Sequence, residues 1–286
     1  MGLAAQAAHL RRDADGLWTA PQATAVSYPA SGHDDCMLLE DASFWFRHRN
    51  QCIIDLVCKY PPAGPILDVG GGNGFVTRGL IDAGFPSCLL EPGRVGALNG
   101  LRHRNLPEVL CSTLQEAGFG AASIPAMGIF DVLEHIPDRR RFLSDLHTRL
   151  VPGGMLYGTV PAHPGLWSAS DDEAGHVCRF TRSGLLRALS SHFDVVRLAP
   201  IFTVLMPLQW ALRSLPYAVG LSRARANASY AHEHGTQAGI THHLLSRALA
   251  YELQRLRAGD LAPWGASFLF AARAKRTRLN HGRIEK

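Results

Sequence analysis

One run of ten residues limits what this chain can become. Pro65-Ile66-Leu67-Asp68-Val69-Gly70-Gly71-Gly72-Asn73-Gly74 reads as a buried apolar strand entering a glycine turn, with a helix following from Phe75. Glycines at 70, 72 and 74 let the backbone turn sharply and leave room for a ligand against the main chain. A dinucleotide fingerprint needs G-x-G-x-x-G. Counting from Gly70 puts Phe75 at the third glycine, from Gly71 puts Asn73 at the second, and from Gly72 puts Thr77 at the third. No register survives, which argues against a nicotinamide-dependent oxidoreductase.

Strand and helix patterns alternate after this turn. Strand Ile66–Val69 leads to a helix over 75–83, with Gly84 at its C-terminal cap. Strand Ser87–Leu90 leads to a helix around 95–104 and a strand over 108–111. A strand around 126–130 precedes an amphipathic helix over 139–150, and Pro152-Gly153-Gly154 turns into a strand over 155–160. A helix capped by Thr181, a strand over 195–198 and a last strand over 267–271 complete the series. Such alternation predicts an α/β fold, a mostly parallel sheet covered on both faces.

Upstream, Phe44, Trp45, Ile53, Ile54 and Val57 mark an amphipathic helix over 41–59, stopped by Pro61 and Pro62. Residues 1–40 are expected to be a loosely ordered N-terminal segment, 41–272 the domain, and 273–286 a basic tail. A helical insertion at about 200–262 is expected to form a lid or acceptor pocket. Within it, Leu198 to Leu212 is strongly apolar, but Pro200, Pro207, Gln209 and Arg213 make it too short and broken to span a bilayer.

Composition closes off other classes. Hydrophobic content of 47% and charged content of 19% suit a globular core, and the net charge of +5 is concentrated toward the C-terminal tail. No basic stripe interleaved with aromatics is present, so nucleic acid is not an expected partner. Six cysteines show neither C-x-x-C nor metal-ligand spacing and read as reduced thiols. The first twenty residues lack an apolar signal core, and a cytoplasmic location is expected.

Glu91 ends the second strand seventeen residues after Gly74, where a carboxylate with two acceptor oxygens suits the cis-diol of a ribose. Histidines are the candidate bases, since an ordinary imidazole pKa of about 6.5 suits proton removal near neutrality. His176, His163 and His135 stand in the motif-rich region. A second group, His232, His234, His242 and His243, reads as exposed residues flanking helices.

Three blocks carry a family resemblance. Asp68-Val69-Gly70-Gly71-Gly72-Asn73-Gly74 resembles the D-x-G-x-G-x-G motif of class I S-adenosylmethionine (SAM) dependent methyltransferases. Asp131-Val132-Leu133-Glu134-His135-Ile136-Pro137-Asp138 and Leu150-Val151-Pro152-Gly153-Gly154 resemble blocks of those members related to quinone-biosynthesis enzymes. Val160-Pro161-Ala162, Leu166-Trp167-Ser168, Asp171 and Gly175-His176-Val177-Cys178-Arg179-Phe180-Thr181 are similar to a pattern of a bacterial subgroup. The likeness covers roughly 43–198 well and extends weakly to Pro263-Trp264-Gly265-Ala266-Ser267.

The resemblance implies a three-layer Rossmann-like domain with a seven-stranded methyltransferase sheet and SAM as cofactor, leaving as S-adenosylhomocysteine. It implies cofactor contacts from Asp68, Gly70, Gly72, Gly74, Glu91, Ser112 and Asp131, and catalytic roles for His176, His163 and Arg179. The family's acidic adenine contact is missing after the third strand, where Cys111, Ser112 and Thr113 stand, so Ser112 and backbone amides are expected to serve. Cys178 and Phe180 replace the subgroup's arginine and tyrosine. No metal is expected, although Asp131, Glu134 and His135 would be its ligands. Arg47 or Arg49 could approach a substrate carboxylate or phosphate.

The expected partner is a small-molecule acceptor, methylated on oxygen, nitrogen or carbon in bacterial biosynthesis by a monomer or homodimer. Two alternatives stand beside it: a lipid-linked or glycan acceptor at a membrane surface, and a non-catalytic SAM-binding regulatory protein.

Overall fold

The structure, a computed structural model of the 286-residue chain, describes residues 2–20, 37, 39–221 and 240–276, with the side chains of 240–243 outside the description. The tail beyond 276 and the histidines at 232, 234, 242 and 243 therefore lie outside the described residues or side chains.

Strand β3 (Ile66–Val69) is fully buried and sits at the middle of a nine-stranded sheet ordered β1-β2-β5-β4-β3-β6-β7-β9-β8. Strands β4 (Ser87–Leu90) and β6 (Ile124–Phe130) flank it in parallel, β5 (Val109–Cys111) extends one side, and β7 (Leu150–Pro161) the other. Strand β9 (Ser267–Ala274) inserts antiparallel between β7 and β8 (Phe193–Ile201). These seven strands form the predicted sheet. Parallel strands need crossovers that cover both faces, which is why β3 and β4 read as unbroken apolar runs.

Alternate residues feed opposite layers. Leu67, Val69, Cys88, Leu90 and Leu110 join one buried cluster with Leu143 and Leu146 of helix α4 (Arg139–Arg149) and Leu185 and Leu189 of α6 (Arg182–Ser190). Ile66 and Ala126 face the other way, onto Ile53 and Val57 of α1 (Phe44–Lys59) and Val76 and Leu80 of α2 (Phe75–Asp82). Leu89 and Val109 pack with Ala97 of α3 (Arg94–Arg102). Ser43 and Thr181 cap α1 and α6 through their hydroxyls, as the pattern of polar residue before apolar run suggests. Short α5 (Ala169–Glu173) carries a capping box at Ser168 and Asp171.

The predicted insertion is present in part. It begins with α7 (Leu205–Gln209), a π-helical turn over Trp210–Ser214 and α8 (Leu215–Ala218), and it ends with α9 (Ile240–Ala258). Glu252 fixes α9 to the core. Its buried carboxylate accepts from the amides of Phe202 and Thr203 at 2.7 and 2.6 Å and lies 2.9 Å from His48 Nε2 of α1.

The N-terminal segment departs from expectation. Residues 21–36 lie outside the described residues, but Leu3–Gln6 form a 3-10 turn, and β1 (Arg11–Arg12) and β2 (Trp18–Thr19) form a hairpin. Strand β2 pairs parallel to β5 and extends the sheet edge. Two-residue strands leave no visible alternation in a sequence. What holds them is tertiary: Leu3 and Leu17 are fully buried, Leu17 against Leu89 and Leu106. Replacement Leu17→Ala should therefore lower the unfolding free energy by about 2–5 kcal/mol in denaturant titration, whereas a side chain in a loose segment would change it by less than about 0.5 kcal/mol.

Candidate active site

A cavity of about 630 Å³ opens at the C-terminal ends of β3, β4, β6 and β7, where open parallel sheets take their ligands. The glycine turn forms its floor. Gly70, Gly72 and Gly74 all have positive φ, at 71°, 57° and 76°. A Cβ at Gly72 would meet nothing within 4 Å, so that position faces open space. A Cβ at Gly74 would lie 2.5 Å from Leu106 Cδ1, so Gly74 faces the packed helix α3 side instead.

Two buried carboxylates border the turn. Asp68 is fully buried; its Oδ2 accepts from Thr77 Oγ1 at 2.6 Å, while its Oδ1 has no hydrogen-bond partner. Burial pushes its carboxyl up to about 6 against the lowering effect of the Thr77 bond. Glu91 Oε2 accepts from the Gly72 amide at 2.9 Å and Oε1 from the Gly93 amide at 2.6 Å. Burial outweighs both bonds and pushes its carboxyl up to about 7.

The opposite wall is built by the segment after β6. Asp131 adopts φ 56°, a conformation that non-glycine residues reach only when their surroundings hold them there. Its carboxylate accepts from Thr159 Oγ1 at 2.7 Å and from the Arg49 guanidinium of α1. Next to it, Glu134 is fully buried and neither of its carboxylate oxygens has a partner. Burial first, then the Asp131 charge, push its carboxyl well above the ordinary range.

A third group hangs over the mouth. Asp171, 1% exposed, accepts from His176 Nδ1 at 2.9 Å and from Arg179 Nε and Nη2 at 2.7 and 3.0 Å. Burial would raise its pKa, but the His176 and Arg179 bonds overcome that and hold it below the usual carboxylate range. His176 makes this bond through Nδ1 and is itself a lining residue of the cavity.

Asp68, Gly70, Gly72, Glu91, Asp131, His176 and Arg179 line one cavity, as do Glu134 and His135. Three predicted residues stand elsewhere. Gly74 is a close-packing glycine. Ser112 is buried and donates to the Thr113 carbonyl at 3.1 Å, outside the cavity lining. His163 is packed near Phe268, with ring centroids 5.7 Å apart, and its Nε2 is buried without a partner. Burial, then the Arg179 charge, lower its pKa. Arg179 itself is committed to Asp171 and to the Ala162 carbonyl.

No metal is expected, and the side chains that come together are not the trio Asp131, Glu134 and His135. Glu134, His135 and His176 bring ligand atoms within 4.8 Å of one another, while Asp131 is taken up by Arg49 and Thr159.

Sequence reading did not single out Asp171 as the hub of its group, nor Glu40, which accepts from Arg104 at 2.9 Å beside the glycine turn. The five- and eight-residue separations of Asp171 from His176 and Arg179 were a readable signal, once Gly175 at φ 72° is seen to fold the segment back. Nothing marked Glu40.

A family model described as a methyltransferase domain matches residues 45–194. No curated protein matches the sequence. Solved structures share the fold. The methyltransferase in complex with the Haloferax volcanii Trm112 methyltransferase activator is 13% identical with TM-score 0.54, over 87% of this chain and 95% of that one. Haemonchus contortus phosphoethanolamine N-methyltransferase 2, in complex with SAM, is 16% identical with TM-score 0.53, over 88% and 58%. A Thermotoga maritima SAM-dependent methyltransferase is 14% identical with TM-score 0.52, over 86% and 95%.

The two glycine environments separate by stability. Gly72→Ala should cost only the left-handed strain of about 1–2 kcal/mol, whereas Gly74→Ala should cost at least about 1 kcal/mol more through overlap with Leu106. Denaturant unfolding of the two variants checks the order; equal losses would contradict the packing role of Gly74.

Proposed function

The chain belongs to the methyltransferase-domain family, whose methyl donor is SAM, and we propose that it transfers that methyl group to a small-molecule acceptor. The carrying observation is the pair of buried carboxylates, Asp68 and Glu91, that border the open glycine position. Glu91 is held by the Gly72 and Gly93 amides with both oxygens oriented, ready for a ribose diol. Asp68 Oδ1, buried and without a partner at the cavity floor, fits the ammonium end of the same cofactor. The vacant Cβ space at Gly72 fits close passage of the ligand between them.

When bound, SAM supplies a methyl group on a positively charged sulfur, an electrophile that needs no further activation. The chain's work is then alignment, exclusion of water and removal of a proton from the acceptor. Asp131 fixes one wall through Arg49 and Thr159. The Asp171 carboxylate holds the His176 ring in the tautomer that leaves Nε2 as an acceptor, and Arg179 holds Asp171. That arrangement suits His176 as general base toward an acceptor hydroxyl or protonated amine. His163, away from the cavity, has no part in it. A purely SAM-binding regulatory protein would have no use for a carboxylate-oriented histidine at the cavity mouth. Labelled SAM incubated with the protein and a metabolite extract, with the labelled product identified by mass spectrometry, tests the activity directly.

The cofactor site has a pH signature. A diol donates two hydrogen bonds, which the ionised Glu91 accepts and the protonated acid accepts less well. With its carboxyl pushed up to about 7 by burial, Glu91 is progressively protonated below that pH, so SAM binding should release a proton and weaken as pH falls from 8 to 6. Asp68, raised to about 6, acts in the same direction. Calorimetric titration should show this. Glu91→Ala should weaken binding by about 1–3 kcal/mol, and Glu91→Gln should reduce the pH dependence to the share that Asp68 sets. Unchanged affinity in Glu91→Ala would sink the ribose assignment.

A further inference from the structure

We infer that the acceptor is an amphiphile drawn from a lipid surface, and that the stretch from Val204 to Leu221 lies on that surface beside the cavity mouth. The inference rests on the methyl-transfer reading above and names its substrate class.

Most helices that cover a site turn their apolar face inward. This one also carries an apolar stripe outward. Val204, Leu208, Leu212, Leu215 and Val219 recur at spacings of four, four, three and four along α7, the π-helical turn, α8 and their flanking residues, and all are exposed. Trp210 and Leu221 are exposed beside them, Leu221 by 81%. Leu205 and Ser214 are the buried positions that seat the segment, and Tyr217 ties it to α5 by donating to Asp172 at 2.6 Å. An apolar stripe of this length on a soluble surface marks an interaction face.

Continuity with the cavity says what covers it. Leu208 and Leu212 line the cavity and are at the same time 54% and 67% exposed, so one apolar path runs from the transfer site to the outer face. A wholly polar acceptor would gain nothing from that path. A molecule with a polar head at His176 and an apolar chain would bury the chain along it. Charge agrees with a lipid partner: from 204 to 221 the only charged residue is Arg213, no acid is present, and the sequence continues with Arg223 and Arg225. Apolar and aromatic residues flanked by arginines are the composition of a helix that lies in an interface. Among the described residues no helix is long and apolar enough to cross a membrane, so the contact is peripheral.

Another segment of the chain is a poor occupant. Residues 222–239 offer Tyr230 as their only large apolar side chain, against five exposed on the stripe and two beside it.

The test uses the full chain and two vesicle compositions, phosphatidylcholine alone and phosphatidylcholine with one-third phosphatidylglycerol. The protein should float with the vesicles, more completely with the anionic ones. The double variant Val219→Glu/Leu221→Glu, outside the cavity lining, should float at least about tenfold less while its SAM affinity stays at the wild-type value. Absence of flotation with either composition, or equal flotation of the variant, would overturn the inference. A wild-type dimer in light scattering that the same variant converts to monomer would overturn it too, by showing that a second copy covers the stripe. Loss of SAM binding in the wild-type protein would instead strike the methyl-transfer reading, so the two failures are distinct.

Discussion

The bond from Thr77 Oγ1 to Asp68 Oδ2, 2.6 Å long between two fully buried residues, is the interaction on which the site depends. It ties the end of β3 to the first turn of α2 and so fixes the loop between them. With the carboxylate held there, a Cβ at Gly71 would lie 2.6 Å from Asp68 Oδ2, which leaves that position to glycine. The loop then directs the Gly72 amide at Glu91 and leaves Asp68 Oδ1 buried beside it without a partner. A buried acceptor in that condition costs stability until a donor arrives. The turn is thus built for a cationic or hydrogen-bond-donating ligand before any residue of the acceptor side is considered.

The same bias extends across the cavity. Asp68, Glu91 and Glu134 are all acids whose burial raises their pKa, and Arg49 and Asp131 are paired with each other rather than with them. Buried acids with raised pKa values cluster where a ligand is meant to change their protonation. SAM, with its sulfonium and ammonium charges, would stabilise the ionised forms that burial disfavours. Binding and deprotonation are therefore coupled, and a dinucleotide, whose pyrophosphate is negatively charged, would oppose the ionised forms of those carboxylates.

Much of this was legible in residue order, and the reasons differ for what was not. Ile66–Val69, Ser87–Leu90 and the Gly84 cap were readable because buried parallel strands are apolar throughout and a left-handed cap needs glycine. Glu91 was readable because strand length fixes its distance from the turn. The N-terminal hairpin was not, since two-residue strands carry no period and depend on Leu17 meeting Leu89 and Leu106. Arg49 pairs with Asp131 across 82 residues, and Glu252 with His48 across 204, separations at which no spacing rule operates. Gly74 and His163 share motifs with true lining residues; a motif names which residues are near one another, not which way each faces.

Histidine shows the point most clearly. The chain has fourteen, and composition makes every one an equal candidate base. His163 is set apart by its surroundings: it packs near Phe268 at φ 57° and is not among the lining residues of the cavity. His176 differs in its partner: Asp171 accepts from its Nδ1 and is itself held through both oxygens by the Arg179 fork, so one carboxylate fixes the orientation of the ring. His135 lies 4.8 Å from it between ring centroids, and burial and the His176 charge lower its pKa. A second imidazole that resists protonation beside the first keeps the pair from accumulating positive charge where a cationic methyl donor must approach. The residues that hold the His176 ring, Asp171 and Arg179, stand 40 and 48 positions downstream of Asp131 in the β6 loop, too far for any spacing rule to pair them with it.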